Sequence, residues 1–176
     1  MRFDTLKRKK YIRRTLLGLL VFLTAMAQNV PWLPGIFGGR ALPLLPLTVA
    51  IAVLDREIAA MLLGALAGLL WDLVTPGFPW NALYLTAVAF ACAMLMRYVL
   101  NRNWLTVSLL TLLTSAGHFL LRWAIDFHGY EGAAHALLRC TLPGLAYTLL
   151  LAPLCYALVL AIVRRTSRKQ RGVLAE

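Results

Sequence analysis

Residues 58–74 read Ile-Ala-Ala-Met-Leu-Leu-Gly-Ala-Leu-Ala-Gly-Leu-Leu-Trp-Asp-Leu-Val. Every residue but Asp72 is apolar or glycine, and no proline interrupts the run. There is no alternation of polar and apolar positions, so a half-buried strand does not fit. About 17–25 such residues cross a bilayer as one helix. The surrounding chain has the same character. Of its 176 residues, 61% are hydrophobic and 14% charged, against roughly 45–50% and 25% in a soluble domain. Its mean hydropathy is +0.74. An ordinary soluble globule, a coiled coil, collagen and a disordered chain are excluded. The expectation is an all-α, polytopic membrane protein. Six spans of about 20 residues would use about 120 positions and leave short loops and two tails.

The first apolar run is Thr15 to Ala27, preceded by Lys7, Arg8, Lys9, Lys10, Arg13 and Arg14. Ala25-Met26-Ala27 has the small-residue look of a signal cleavage site, but an uncleaved first helix is the expectation, because the rest of the chain is itself apolar. The second span is the shortest. Ala41 to Leu54 supplies fourteen residues, and reaching full length means starting at Pro34 and taking in Arg40. Pro43 and Pro46 would sit in its first turns, where a missing N–H costs least. Asp55-Arg56-Glu57 forms a charged turn. The remaining spans are read as Ile58–Val74, Ala82–Leu100, Trp104–Trp123 and Thr141–Val163, with an external segment from Ala124 to Cys140.

Charge placement orients this layout. With the N-terminus inside and six spans, fifteen Lys/Arg face the cytoplasm and only Arg40, Arg122 and Arg139 lie outside, a strong positive-inside bias. The organisation expected is a basic cytoplasmic tail at 1–14, a six-helix membrane domain at 15–163 and a basic cytoplasmic tail at 164–176. The basic residues flank spans and suit anionic lipid rather than nucleic acid.

Ala60, Gly64, Gly68 and Asp72 recur at four-residue steps along one face of the third span. The Gly64–Gly68 pair permits close approach of another helix, from this chain, a second copy or a partner. An ionisable group within a span needs a polar partner. His118 and Arg122 stand at similar depth on the fifth span, so an Asp72–Arg122 pair beside His118 is expected. Pro76, Gly77 and Trp80 make a turn at the outer interface. Ser115 and His118 lie one turn apart, yet no third group or oxyanion hole accompanies them. His128, Glu131 and His135 are interrupted by Gly129 and Gly132 and lack a fourth ligand. Cys92, Cys140 and Cys155 show no CxxC spacing and read as apolar packers. No enzyme activity, metal or cofactor is expected.

The run Met61 to Asp72, with Gly64-x-x-x-Gly68-Leu-x-x-Asp72, followed by Gly77 and Ala82-Leu83, resembles the bacterial rod shape-determining protein MreD family. Pro43 and Pro46, the basic tails and the arginines after the sixth span agree, while Leu44 or Leu47 stands where the family pattern has an acid just after the second-span proline. The resemblance implies a non-enzymatic scaffold of the cell-wall elongation machinery. It implies a bitopic MreC partner and a complex with RodA, a class B penicillin-binding protein and MreB. It also implies a bundle like the S component of energy-coupling-factor vitamin transporters. A membrane-embedded small-molecule binding subunit of that kind is the alternative.

Overall fold

In a computed structural model, residues 2–29, 41–74, 79–126 and 133–172 are described, with side chains at 10–29, 41–74, 79–125 and 141–166. They form six helices and, among the described residues, no strand. α1 is Arg2–Asn29, α2 Leu44–Leu54, α3 Glu57–Val74, α4 Asn81–Tyr98, α5 Trp104–Asp126 and α6 Ala133–Gly172. Stretches of α3, α4, α5 and α6 are long and apolar enough to cross a membrane.

The distribution of side chains identifies the solvent. Ile58, Leu62, Leu66, Leu69 and Leu73 form an exposed stripe on α3, and Leu105, Leu109 and Leu113 one on α5. Thr48, Asp55, Asn81, Thr111, Ser115, His118 and Thr148 are buried. Leucine outside and polar groups inside suits a bundle bathed in lipid, where polar atoms must find partners within the protein. Eight hydroxyls, at Thr15, Thr24, Thr48, Thr86, Ser108, Thr114, Thr148 and Thr166, donate to the carbonyl four residues earlier at 2.6–3.1 Å. The helix thereby satisfies them internally.

α2 organises the bundle. Its eleven residues, Leu-Leu-Pro-Leu-Thr-Val-Ala-Ile-Ala-Val-Leu, are all buried, and it touches each of the other five helices. A helix apolar on every side belongs in an interior. At 1.5 Å per residue it is roughly 16 Å long, about half a bilayer core. Its first N–H groups are accounted for one by one, as a dry interior demands. Leu44 N donates to Gln28 Oε1 of α1 at 3.2 Å. Leu45 N and Leu47 N donate to the Leu42 and Pro43 carbonyls, and Pro46 has no N–H. The preceding Leu42 N donates to Thr148 Oγ1 of α6 at 3.1 Å. Pro43 and Pro46 thus occupy the cap and first turn, as expected.

Three expectations change. The second span is the short internal α2, because an apolar run covered on all sides by protein need not match the bilayer. The N-terminal basic stretch is the first half of α1, since nothing between Arg2 and Thr15 breaks a helix. The sixth helix runs from Ala133 to Gly172 rather than Thr141 to Val163. It absorbs part of the segment assigned outside and continues past Arg164 and Arg165. Arg40 and residues 127–132 lie outside the described residues.

Candidate functional site

The GxxxGxxxD face of α3 meets α4. Gly64 and Gly68 are buried. A Cβ built on Gly64 would lie 2.7 Å from the Leu85 carbonyl oxygen and 2.8 Å from Ala89 Cβ. One built on Gly68 would strike Ala82 Cα and lie 2.5 Å from the Asn81 carbonyl oxygen. The two glycines therefore let the α4 backbone press directly on α3. Of the occupants considered for this face, the structure selects a helix of the same chain, so it is not the surface for a partner or a second copy. Ala60, one turn earlier, is fully buried on the same helix.

Asp72 ends the stripe and does not pair with Arg122. Its Oδ1 accepts from Asn81 N at 3.1 Å and its Oδ2 from Ala82 N at 2.9 Å. The expectation failed because it sought a formal charge at matching depth. The nearest positive group is the unsatisfied N-terminus of the next helix, which carries about half an elementary charge. Trp80, at the cap position of α4, offers no side-chain acceptor, and Asp72 supplies it from the neighbouring helix. Asp72→Ala should cost roughly 1–2 kcal/mol, the scale of a lost N-cap, and Asp72→Asn less. Thermal unfolding in detergent checks this ranking, and an Asp72→Asn loss as large as that of Asp72→Ala would count against the capping role.

From Asn81 the polar path continues to α5. Asn81 is buried, and its Oδ1 accepts from His118 Nε2 at 2.9 Å. The carboxamide oxygen only accepts, which puts a proton on Nε2. The His118 ring stacks on Trp71 of α3 at 5.0 Å and 25°, and meets Tyr84 of α4 edge-on at 5.3 Å. Tyr84 OH donates to the Thr114 carbonyl at 2.5 Å, and Gly117 leaves room for that hydroxyl, 3.0 Å from where a Cβ would stand. Asp72, Asn81 and His118 thus bind α3, α4 and α5 into one joint. Arg122 follows His118 by one turn and is exposed.

Thr111, Ser115 and His118 lie along one buried face of α5. Thr111 Oγ1 and Ser115 Oγ make no hydrogen bond. The Ser115–His118 contact that a nucleophilic pair needs is thus not formed. Among the described residues no three His, Cys, Asp or Glu side chains converge. Cys92 and Cys155 are buried thiols. Trp80 is 51% exposed beside α4, as an interfacial residue would be. Pro76, Gly77, His128 and Glu131 lie outside the described residues, as do the side chains of His135 and Cys140. Trp71 and Tyr84 escaped the sequence reading. Asn81, which opens an apolar run, reads from sequence only as the end of a turn and a polar group of the outer face, not as the partner of His118.

Fold and joint together define an all-helical membrane bundle with a hydrogen-bonded core of polar side chains. Compared with family profiles, curated proteins and solved structures, the chain matches none.

Proposed function

We propose that this chain is a non-enzymatic scaffold of the cell-wall elongation machinery. It would sit in the bacterial cytoplasmic membrane with both termini inside, bind an MreC-like bitopic protein, and help position RodA, a class B penicillin-binding protein and MreB. The observation that carries this reading is the Gly64-x-x-x-Gly68-Leu-x-x-Asp72 run, which resembles the MreD motif. The helical layout supports it, because little but lipid-facing helix and short loops is left for recognition. With the glycine face committed to α4, the partner must meet an outward stripe. Leu62, Leu66, Leu69 and Leu73 on α3 are exposed and offer one.

Depletion in a rod-shaped host should yield spheres, and the bitopic partner should copurify. A cysteine at Leu66 or Leu69 should crosslink to that partner, while one at Gly64 should not. Cells that stay rods on depletion, with no such partner recovered, would sink the proposal.

One feature favours the alternative, a small-molecule binding subunit like an S component. Trp71, Tyr84, His118 and the Thr111 and Ser115 hydroxyls bring aromatic surface and hydrogen-bonding groups together inside the bundle, the mixture that ligand sites use. A vitamin-like molecule copurifying with the chain, and lost on Ser115→Ala, would select this reading.

A further inference from the structure

At the end of the bundle opposite the joint, four pieces of chain enclose a cleft of about 710 Å³. They are the N-terminal half of α1, the α2–α3 turn, the end of α4 and the loop leading to α5. The volume falls in the roughly 300–1,000 Å³ range of small-ligand sites. Five cationic side chains line it, Lys10, Arg14, Arg56, Arg97 and Arg102, against Asp55 and Glu57.

Each acid already holds an arginine, Asp55 through Oδ1 while its buried Oδ2 has no hydrogen-bond partner. Asp55 Oδ1 accepts from Arg13 at 2.6 Å and from its neighbour Arg56 N at 2.7 Å. Glu57 takes Arg97 through both oxygens, at 2.9 and 3.2 Å. Lys10, Arg14, Arg56 and Arg102 have no acidic partner among the described residues. Arg14 is half-buried, and its Nε is enclosed without a hydrogen-bond acceptor. Like charges drawn from four segments into one cleft repel unless an anion joins them. Guanidinium forks match phosphate oxygens in pairs, and a lysine adds a point charge.

We propose that this cleft is a binding site for a phosphate group, carried by an anionic lipid headgroup or by a soluble phosphoester. The site lies where the apolar helices end, and Ile58 on its wall is 68% exposed, so a phospholipid could place its headgroup in the cleft and its chains against α3. Arg13 and Arg97 hold the acids in place. Lys10, Arg14, Arg56 and Arg102 bind the ligand.

The test uses the full chain purified in neutral detergent and needs no partner protein, so its outcome is separate from that of the scaffold reading. Phosphatidylglycerol and phosphatidylcholine are offered in equal amounts, and retained lipid is read by native mass spectrometry. Glycerol 3-phosphate is the soluble probe, followed by calorimetry. The native chain should retain phosphatidylglycerol over phosphatidylcholine by at least about tenfold, since each basic residue near an anionic headgroup contributes severalfold. Arg14→Gln/Arg56→Gln/Arg102→Gln should bring that ratio near parity. Arg164→Gln/Arg165→Gln removes charge at residues that do not line the cleft and should leave the ratio intact. If the triple cleft variant does not fold, Arg102→Gln alone should lower the ratio at least about threefold. Lipid retention that glycerol 3-phosphate does not displace assigns the headgroup. Displacement, with binding lost in the cleft variant, assigns a soluble phosphoester. Equal losses in the cleft and control variants, or no preference by the native chain together with no glycerol 3-phosphate binding, overturn the proposal.

Discussion

Gly68→Ala should leave little folded protein. In an exposed helix that change gains about 1 kcal/mol, because alanine is the better helix former. Here the added methyl would strike Ala82 Cα, with the Asn81 carbonyl oxygen 2.5 Å and the Ala82 nitrogen 2.7 Å away. All three are backbone atoms in the first turn of α4, so no side chain can swing aside. Relief requires α4 to back away from α3. That movement stretches the Asp72 bonds to the same two residues and pulls Asn81 from His118. Overpacking costs about 1–3 kcal/mol or more, and the loss of a cap adds roughly 1 kcal/mol. The sum is a large share of the roughly 5–15 kcal/mol that holds a domain together. Gly64→Ala should cost less, as it has only two contacts this close, the Leu85 carbonyl oxygen at 2.7 Å and Ala89 Cβ at 2.8 Å, and neither is as near as Ala82 Cα is to Gly68. Gly18→Ala is the control. The nearest atom to its Cβ position is the flexible Leu63 Cδ2, at 3.9 Å, so it should be neutral or stabilising. Thermal unfolding of the three variants in detergent should rank them in that order. A Gly68→Ala protein as stable as Gly18→Ala would mean that the helices do not cross so closely.

The helix limits that could be read from sequence were those with local chemistry. Asp55-Arg56-Glu57 places a turn between two apolar runs, and α2 ends at Leu54 while α3 begins at Glu57. Trp104 after Asn101-Arg102-Asn103 opens α5 as expected. What stayed hidden depends on which apolar run lies inside. Hydropathy treats α2 and α3 alike, yet one is enclosed by protein and the other faces outward. Length was the clue, and the stretch from Ala41 to Leu54 was short for a span. The joint was half legible. The four-residue spacing correctly put Gly64, Gly68 and Asp72 on one face, but the fate of that carboxylate depended on a bend between α3 and α4 that no spacing encodes. Asn81 lies thirty-seven positions from His118 and Arg13 forty-two from Asp55, separations that leave no trace in local pattern. The cleft has the same origin. The sequence counted its cations as cytoplasmic charge, and only the packing of α1 against the α2–α3 turn shows that they converge.

Asp55→Ala should be the most damaging change at that end of the bundle. The Asp55 side chain is 1% exposed and holds the 21%-exposed Arg13 at 2.6 Å, while its own N–H closes α2 onto the Ile51 carbonyl. It therefore anchors α1 to the C-terminus of α2, the helix every other one packs against. Removing one member of a buried ion pair leaves the other charge desolvated and costs roughly 3–5 kcal/mol. Part of Arg13 reaches the surface, and the exposed fraction is screened, so a loss near about 3 kcal/mol is expected. The pair need not be a large net gain over apolar packing, since a buried ion pair gives back much of its attraction in desolvation. That yields a sharper test than the single variant. Arg13→Met removes the stranded cation and keeps an apolar side chain against α2. Arg13→Met/Asp55→Ala should then lose clearly less than the two single changes added together, by at least about 1 kcal/mol of coupling. Strict additivity would show that the two side chains act independently, and that α1 is held to α2 by Leu17, Val21 and Ala25, its fully buried face, rather than by this contact.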